Sequence, residues 1–566
     1  MFLNLGLVFR QALALCALVD AVYGQTPTAA TYDPSPFNYL GTIDSMTLNV
    51  ADGPLAGGTI TVNNLTVIVP KNTLITLPSI TVAWSEMFAV DAAGNATPQL
   101  PLLGTVSWEA NVFGNVVGGE KIAGLIFITQ EFGQILQGFI TEIDYDTGHF
   151  WVGGDLECVL NDPLGRFGLP YTGDPLWTVD PDNPSIHTST GVPMCIPRNT
   201  TDSECPLTNR PTDGNGNYLT TFNFPDPALV TPGGLDPRIM VPLVVGDWVL
   251  LAGTKVKNDL LEVYTLTANL GIYTAPGTKP AYVTVEAAQY AIVDPDPTVE
   301  SGQTRATAVA SDPTIPIQWF AMDVDPCTGE VSERDILLAQ PEGNAPIGLT
   351  TFRLGKTDVS PATRNVGFRY TNGIADGPKG IIAGQFIQPV MLFIFPELIS
   401  FGAHEIPNQF DEIPFLAMGS GLLEFGNLLT PPLASPTIVG QLDPWPGATL
   451  PATTSCPPPS TSSTSTSTSS APTSSPTGTP GIIEIITATA VNQQGVVTCS
   501  VEALTTDMSA QLFMQVVGID NTPAEPMDSL GNGIFELTIA VKGKPTEIII
   551  TSDDGATPIP ITVVGG

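Results

Sequence analysis

The residues that could carry acid–base or nucleophilic chemistry are few and widely spaced in this chain. It has three histidines, His149, His187 and His404, and His187 is followed directly by two hydroxyl side chains, Thr188 and Ser189. A nucleophilic hydroxyl needs a base within hydrogen-bond reach and a third group that orients that base, and the sequence has no GxSxG motif. We therefore do not expect a serine hydrolase. The many carboxylates leave a glycosidase pair open, because the spacing of such a pair is three-dimensional.

Two acidic turns resemble calcium-binding loops in composition. The segment Asp323–Glu330 reads DVDPCTGE, and Asp144–Gly148 reads DYDTG. A calcium loop needs oxygen ligands at fixed offsets and a glycine at its sixth position, whereas Thr328 takes that position here and Cys327 takes a ligand position. We interpret both segments as turns between strands, and we predict neither a metal site nor a cofactor.

A cluster of basic residues interrupts an otherwise acidic chain. The sequence has 55 acidic and 19 basic residues, for a net charge of −36. The cluster comprises Arg353, Lys356, Arg364, Arg369 and Lys379. Arg353, Lys356, Arg364 and Arg369 are candidates for binding an anionic group such as an acidic sugar. The simpler interpretation, which we favour, is that they pair with the surplus carboxylates.

Two tryptophans lie in loops and not in strand-like runs. Trp177 and Trp445 stand in the proline- and glycine-rich segments GDPLWTVDPDNP and LDPWPG. An exposed aromatic ring can stack on the apolar face of a sugar. Both are therefore candidate ligand-binding residues, although packing beneath the loop is the simpler role for either ring.

Three Asn-x-Thr sequons and one cysteine pair are candidates for modification during export. The sequons begin at Asn64, Asn95 and Asn199, and a proline directly after the second one makes it the poorest acceptor. Cys195 and Cys205 bracket the polar stretch MCIPRNTTDSEC. We predict a disulfide between these two cysteines, while the pairing of the others stays open.

The N-terminus and one linker predict an exported protein. Residues 1–24 are apolar with a single arginine and read as a secretory signal peptide, with an uncleaved anchor as the alternative. Residues 451–481 are mostly Ser, Thr and Pro, and they read as an O-glycosylated linker because they have too few apolar side chains to form a core. The apolar stretch 380–401 is interrupted by Pro389 and Pro396 and predicts buried strands, not a membrane span.

The pattern of apolar residues predicts an all-β fold. Gly (55) and Pro (54) are abundant, and short alternating runs are separated by turns. The pattern Gly-x-Ile at Gly41–Ile43 recurs at Gly138–Ile140, as expected for small closed barrels of the OB-like kind. The predicted modules are a flexible lead-in at 25–38, a barrel at 39–154, an irregular disulfide-containing region at 155–240, a second barrel-like module at 241–300, a β-sandwich at 301–450 and an Ig-like sandwich at 482–566.

Five segments are similar to segments of a recurring set of uncharacterised exported fungal proteins. They are TSTGVPMCIPR (188–198), NLGIYTAPGTKPAYV (269–283), DVDPCTGE (323–330), FRLGK (352–356) and QLDPWPG (441–447). The resemblance covers most of residues 39–447, and a Ser/Thr-rich linker followed by an Ig-like tail fits it as well. It implies export and tandem barrel-like modules, and it implies no activity.

Three functions are compatible with the sequence. We expect a secreted glycoprotein, extracellular or associated with the cell wall, that binds polysaccharide at the cell surface or in the extracellular matrix without catalysis. The alternatives are an extracellular carbohydrate-active hydrolase with a C-terminal targeting module, and a β-barrel pocket for a small apolar metabolite. The shortage of Lys and Arg argues against nucleic acid and anionic membranes as partners, since both attract positive charge.

Overall fold

A computed structural model describes most of the chain outside its N-terminus and its linker. The described residues are 33–102, 107–130, 135–255, 260–292, 303–344, 346–355, 358, 360–396, 404–423, 437–452, 483–493, 496–505, 512–517, 525–531, 534–542, 547–552 and 559–562. The predicted signal peptide at 1–24 and residues 453–481 of the predicted linker therefore lie outside them. The chain divides into two compact units, Met1–Pro459 and Ser460–Gly566. Among the described residues, no helix is both long and apolar enough to cross a membrane.

The first nine strands build a closed five-stranded barrel with one long connection. They are β1 (Ser35–Leu48), β2 (Gly58–Val62), β3 (Leu65–Val69), β4 (Leu74–Thr76), β5 (Thr81–Ala83), β6 (Phe88–Val90), β7 (Ala96–Pro98), β8 (Trp108–Val117) and β9 (Glu120–Gln130). The barrel order is β1-β2-β3-β9-β8, and pairing of β8 with β1 closes it. Neighbouring strands are antiparallel except for β3 and β9, which are parallel. The connection from β3 to β8 carries two hairpins, β4–β5 and β6–β7.

The next ten strands repeat this barrel. They are β10 (Ile135–Ile143), β11 (His149–Val152), β12 (Leu156–Leu160), β13 (Ile186–Thr188), β14 (Met194–Cys195), β15 (Thr221–Asn223), β16 (Val241–Pro242), β17 (Trp248–Lys255), β18 (Leu261–Ala268) and β19 (Gly271–Tyr273). Strands β10, β11, β12, β18 and β17 pair in a ring, in which only β12 and β18 are parallel. In both rings the fifth strand lies between the third and the fourth, and its contact with the third is parallel. This is the order of an OB-type barrel, so the prediction of tandem OB-like barrels is confirmed.

The recurring Gly-x-Ile pattern marks equivalent positions in the two rings. The register shifts directly after Ile43 in the first strand of the first ring, and directly after Ile140 in the first strand of the second. A second shift in each ring places Gly114 in β8 and Gly253 in β17 against the fifth strand. A Cβ on either glycine would collide with a carbonyl oxygen of that strand. Bulges at matching points thus bend both sheets enough to close them.

Three predicted module boundaries need correction. The first barrel ends at Gln130, and the second spans 135–268 instead of 241–300, because β10 pairs with β17 across a long connection. The irregular region predicted at 155–240 is that connection, and it contains the predicted Cys195–Cys205 disulfide. The lead-in predicted at 25–38 overlaps β1, since residues 35–38 already pair with β8.

A β-sandwich completes the first unit. Its region contains β20 (Val283–Ala291), β21 (Arg305–Ala310), β22 (Ile317–Val324), β23 (Val331–Ala339), β24 (Leu349–Arg353), β25 (Asn365–Tyr370), β26 (Ala375–Asp376), β27 (Ile382–Ala383), β28 (Gln385–Pro389), β29 (Leu392–Ile394), β30 (Gly421–Leu423), β31 (Thr437–Val439) and a short α-helix, Pro414–Ala417. The sheets β24-β21-β20-β29 and β23-β22-β25-β28 share one core, in which Trp319 stacks on Phe368 with ring centroids 5.8 Å apart. The sandwich begins at Val283 and not at 301, because β20 belongs to its first sheet.

The second unit contains two further four-stranded sheets. Its strands are β32 (Ile483–Gln493), β33 (Val496–Thr505), β34 (Leu512–Val517), β35 (Glu525–Pro526), β36 (Asp528–Gly531), β37 (Ile534–Lys542), β38 (Glu547–Ser552) and β39 (Ile559–Thr562). They pair as β32-β33-β37-β36 and β35-β34-β38-β39. Val501, Met514 and Ile550 belong to one shared core. The unit is thus a β-rich module of the predicted size, and its Ig-like assignment stays a prediction.

A buried ion pair fixes the long connection of the second barrel to its fourth strand. Arg210 and Asp247 have side chains only 1% and 2% exposed, and two N–O contacts of 2.7 Å join them. Asp247 also accepts a hydrogen bond from the backbone N–H of Val244, and Arg210 Nε donates to the carbonyl of Leu219. Each charge is therefore fully engaged, and removing one would leave the other buried without a partner.

The Arg210–Asp247 pair gives a stability prediction. Asp247→Asn should lower the free energy of unfolding by about 3–5 kcal/mol, because the Arg210 charge stays buried without its carboxylate. Urea unfolding followed by tryptophan fluorescence measures the change. The control is Arg238→Met, which removes the surface pair Arg238–Asp236 (54% and 13% exposed) and should cost about 1 kcal/mol or less. Equal effects of the two substitutions would contradict a structural role for the buried pair.

Candidate functional site

A groove runs where three parts of the first unit meet. An opening of 330 Å³ and an adjoining one of 300 Å³ form it. Its sides are residues 76–81 of the β4–β5 hairpin, residues 180–187 of the second barrel's long connection, and strand β28 of the sandwich. Both openings are lined by Pro78, Asp180, Asn183, Ile387, Gln388 and Pro389. We call this feature the junction groove.

The side chain of Asn183 holds the groove together. Its Nδ2 donates to the carbonyl of Ile387 at 2.7 Å, and its Oδ1 accepts from the backbone N–H of Ile387 at 2.9 Å. Ile387 lies on β28, the edge strand of its sheet, so the amide occupies backbone groups that a further strand would otherwise pair with. A second link joins the hairpin to the connection, since the hydroxyls of Ser79 and Thr178 are 2.9 Å apart. The groove is thus part of a hydrogen-bonded junction between modules.

The first opening presents polar groups to solvent. Asp182 is exposed, and Asn365 and Gln388 are half-buried. Their side chains make no hydrogen bond within the described part of the chain. The side chain of Gln385 is already engaged, because its Oε1 accepts a hydrogen bond from Arg369 Nε at 3.0 Å. The lining of both openings contains no lysine or arginine, so the groove offers amides and carboxylates but no cation.

The second opening is the more apolar part of the groove. Tyr264, Phe386 and Met391 line it, and Met391 is 46% exposed. Both rings are half-buried, and burial raises the pKa of Tyr264 to about 12, which keeps its hydroxyl protonated. Ring faces beside amide groups are the combination that accommodates a sugar, with its apolar face and polar edges.

His187 lies in the wall of the second opening but cannot serve as a base near neutral pH. Its side chain is 7% exposed. Nδ1 donates to the Thr188 carbonyl at 2.7 Å, and Nε2 accepts from the hydroxyls of Thr267 and Thr284, each at 3.3 Å. Burial lowers the pKa of His187 to about 4, so the ring is neutral with both nitrogens occupied. The hydroxyl of Ser189 donates to the Ala268 carbonyl instead of pairing with His187.

Asp180 is the carboxylate that lines both openings, and its oxygens are already engaged. Oδ1 accepts from the backbone N–H of Asp182 at 2.8 Å, and Oδ2 accepts from Asn183 Nδ2 at 2.7 Å. Burial raises the pKa of Asp180, while these hydrogen bonds oppose the rise. The carboxylate therefore acts as a support for the loop that carries Asn183.

The two candidate tryptophans are covered by protein. Trp177 is 2% exposed and packs on Trp108 in the core of the first barrel, with ring centroids 4.6 Å apart. Trp445 is 7% exposed and belongs to the core of the sandwich. Neither ring presents a face for a sugar, and neither lines the junction groove.

The basic cluster does not converge on one patch. Arg369 forms an ion pair with Glu333 at 2.6 Å, as the simpler interpretation predicted. Arg353 is exposed and lies opposite Arg305 across two strands of the other sheet. Arg364 lies over the ring of Phe415. Lys356 lies outside the described residues.

Sequence reasoning missed the groove because its sides are far apart in the chain. The available signal was the turn-rich segment DPDNPS at 180–185, in which Asp and Asn side chains hydrogen-bond their own backbone. Nothing in that segment pointed to residues 76–81 or to β28. Among the described residues, no group of three or more His, Cys, Asp or Glu side chains could hold a metal ion.

Asp180 generates a pH prediction. Because its folded-state pKa is raised above the ordinary 3.8, its contribution to stability is present below that value and is lost as pH rises through the folded pKa. The free energy of unfolding of Asp180→Asn should therefore rise relative to that of the parent protein as pH rises above 4. This trend is expected whatever the difference between the two proteins at pH 3.5. Urea unfolding across pH 3.5–7 measures the trend, and exposed Asp182→Asn is the matched control. A stability difference that does not change with pH would contradict the raised pKa.

The comparisons with known proteins do not assign a family to this chain. No family model matches the chain, and no curated protein matches it. Among solved structures, a marsupial T cell receptor matches with 11% identity, covering 56% of this chain and 71% of that chain at a TM-score of 0.11. A superposition of that quality carries no argument, so the function is argued from the groove.

Proposed function

We propose that this protein is a secreted glycoprotein of the cell surface or extracellular matrix that binds a polysaccharide in the junction groove without cleaving it. The observation that carries the proposal is the lining of the groove. Asn365 and Gln388 offer amides without hydrogen bonds, and the half-buried aromatic side chains of Tyr264 and Phe386 belong to the lining. Sugars are recognised by this combination of directional polar groups and aromatic surface. The absence of lysine and arginine from the lining favours a neutral polymer over a polyanion.

The groove gives less support to hydrolysis. A glycosidase needs one carboxyl group as acid and a second as base or nucleophile across the scissile bond. Asp180 and Asp182 are the carboxylates of the lining. Asp180 is half-buried, and hydrogen bonds within its own loop occupy both of its oxygens, so of the two only the exposed Asp182 has oxygens that are not engaged. His187 is neutral and has no free nitrogen. Binding is therefore the function that the residues support best.

The alternative of an apolar pocket inside a barrel finds little support. The inward side chains of the first ring, such as Ile60, Val62 and Val112, are buried in one packed cluster. In the second ring, Val249, Leu251 and Val263 are likewise buried in one packed cluster. Small five-stranded barrels are filled by their own side chains in this way.

Export and glycosylation rest on separate observations. The leader-like residues 1–24 and the Ser/Thr/Pro-rich residues 451–481 support passage through the secretory pathway. The Cys195–Cys205 disulfide is compatible with an oxidising compartment. All three sequon asparagines are exposed, with Asn64 in the β2–β3 turn and Asn95 in the β6–β7 turn.

Binding to insoluble polymers tests the proposal. The full chain should sediment with at least one of chitin, cellulose and β-glucan and should release no reducing ends from it. The double variant Asn365→Ala/Gln388→Ala should bind at least about tenfold more weakly, because two hydrogen bonds to the sugar are lost. The matched control is Gln137→Ala, an exposed amide on β10 outside the groove.

The outcomes separate polysaccharide binding from hydrolysis. If no polymer binds, or if the double variant binds like the Gln137 control, the groove is not a polysaccharide site. Release of reducing ends that the double variant abolishes would establish the hydrolase instead.

Glycan occupancy is a separate prediction. After expression in a eukaryotic secretory host, Asn64→Gln and Asn199→Gln should each remove one glycan, seen as a mass loss in intact-protein mass spectrometry. Asn95→Gln should change the mass least, because a proline follows its sequon and its amide already donates to Asp91 at 2.8 Å. A chain that shows no mass change after treatment with an N-glycanase would refute this part of the proposal.

A further inference from the structure

A second cavity lies at the C-terminal end of strand β22, beside the short α-helix Pro414–Ala417. It has a volume of 230 Å³, and it shares no lining residue with the junction groove. Its walls are mostly apolar and include Met322, Val324, Ala362, Phe415 and Met418. Met418 is 43% exposed, so the rim reaches solvent. We call it the Arg364 cavity.

Arg364 is the unusual group in this cavity. Its guanidinium carbon lies 4.4 Å from the centre of the Phe415 ring, and its Nε is buried without a hydrogen-bond partner. Among the described residues, no carboxylate forms an ion pair with it. Burial lowers the pKa of Arg364 to about 10, with no nearby charge to offset that effect. Arg364 is half-buried as a residue. A buried Nε donor without a hydrogen-bond partner is unfavourable, and stacking on one ring compensates it only in part.

The other charged groups of the cavity are already paired with each other. Arg334 Nη2 donates to Asp323 Oδ1 at 3.0 Å, and Arg334 Nε donates to Asp323 Oδ2. Arg334 Nη1 also donates to the hydroxyl of Ser360 at 2.8 Å, and Nη2 donates to the carbonyl of Pro361 at 2.9 Å. Arg364 is therefore the cation of this lining that has no carboxylate partner among the described residues.

We propose that the Arg364 cavity binds a small monocarboxylic acid with an apolar body. The carboxylate accepts hydrogen bonds from the guanidinium of Arg364, and the apolar body packs against Phe415, Met322 and Met418. Three features select this class. One cation without a carboxylate partner matches one negative charge better than a multiply charged group such as phosphate. The apolar walls disfavour a sugar, and the volume is below the range of about 300–1,000 Å³ that is usual for drug-sized ligands.

Calorimetric titration with octanoate and benzoate at pH 7 tests the proposal. Octanamide and benzamide are the uncharged analogues that serve as controls. At least one acid should bind, and its amide should bind at least tenfold more weakly. Arg364→Met should weaken the acid at least tenfold and leave the amide unchanged. Arg353→Met is the matched control, since it removes an exposed arginine at the same cost in net charge, and it should leave the affinity unchanged.

A second variant keeps the test decisive if Arg364→Met fails to fold. Met418→Trp leaves Arg364 in place but fills the rim of the cavity, and it should abolish binding of the acid. The proposal is overturned if neither acid binds the parent protein, if acid and amide bind equally, or if Arg353→Met weakens binding as much as Arg364→Met does. Because the test uses no polysaccharide, its failure would leave the junction groove unaffected.

Discussion

The two hydrogen bonds between the Asn183 side chain and the backbone of Ile387 are the interaction on which the junction groove depends. They connect a loop of the second barrel to the exposed edge of the sandwich, and they occupy backbone groups that would otherwise remain unpaired. An unsatisfied buried polar group costs about 1–3 kcal/mol, so the contact fixes one relative position of loop and strand. Asp180 holds Asn183 from the other side at 2.7 Å. The groove is thus shaped before any ligand arrives, which lowers the entropic cost of binding.

The repeated barrel architecture accounts for two of the three segments that meet at this place. Each ring has a long connection between its third and fourth strands, and each connection contributes one side of the groove: residues 76–81 in the first ring and residues 180–187 in the second. Matching bulges and the close approach of Gly114 and Gly253 to the fifth strands set the curvature of both rings. Proteins commonly carry their binding residues on loops that a scaffold of strands or helices holds in position.

Local patterns predicted the fold class but not the module boundaries. Alternation and the Gly41/Gly138 repeat indicated barrels, and the spacing of Cys195 and Cys205 indicated their disulfide. The second barrel was divided wrongly because its first three strands are separated from its last two by the connection at 161–247. Pairing over that distance is set by tertiary contacts such as those between β10 and β17, which leave no local pattern in sequence.

Local sequence patterns also failed to predict most of the candidate site. Composition placed Trp177 and Trp445 in loops, but burial beneath those loops depends on Trp108 and on the sandwich core. The basic cluster contained two kinds of arginine that sequence could not separate: Arg369 faces a carboxylate, and Arg364 faces an aromatic ring. No local sequence pattern marks Asn183, Gln388 or Tyr264 as site residues, because these side chains come close together only when three modules meet.

Hydrogen–deuterium exchange in the presence of a soluble oligosaccharide of the bound polymer tests the central claim most directly. The account predicts slower exchange in peptides that cover residues 76–81, 180–187 and 385–389 together, with no change in the second unit. Protection confined to the second unit, or exchange that the oligosaccharide leaves unchanged in all three segments, would contradict it.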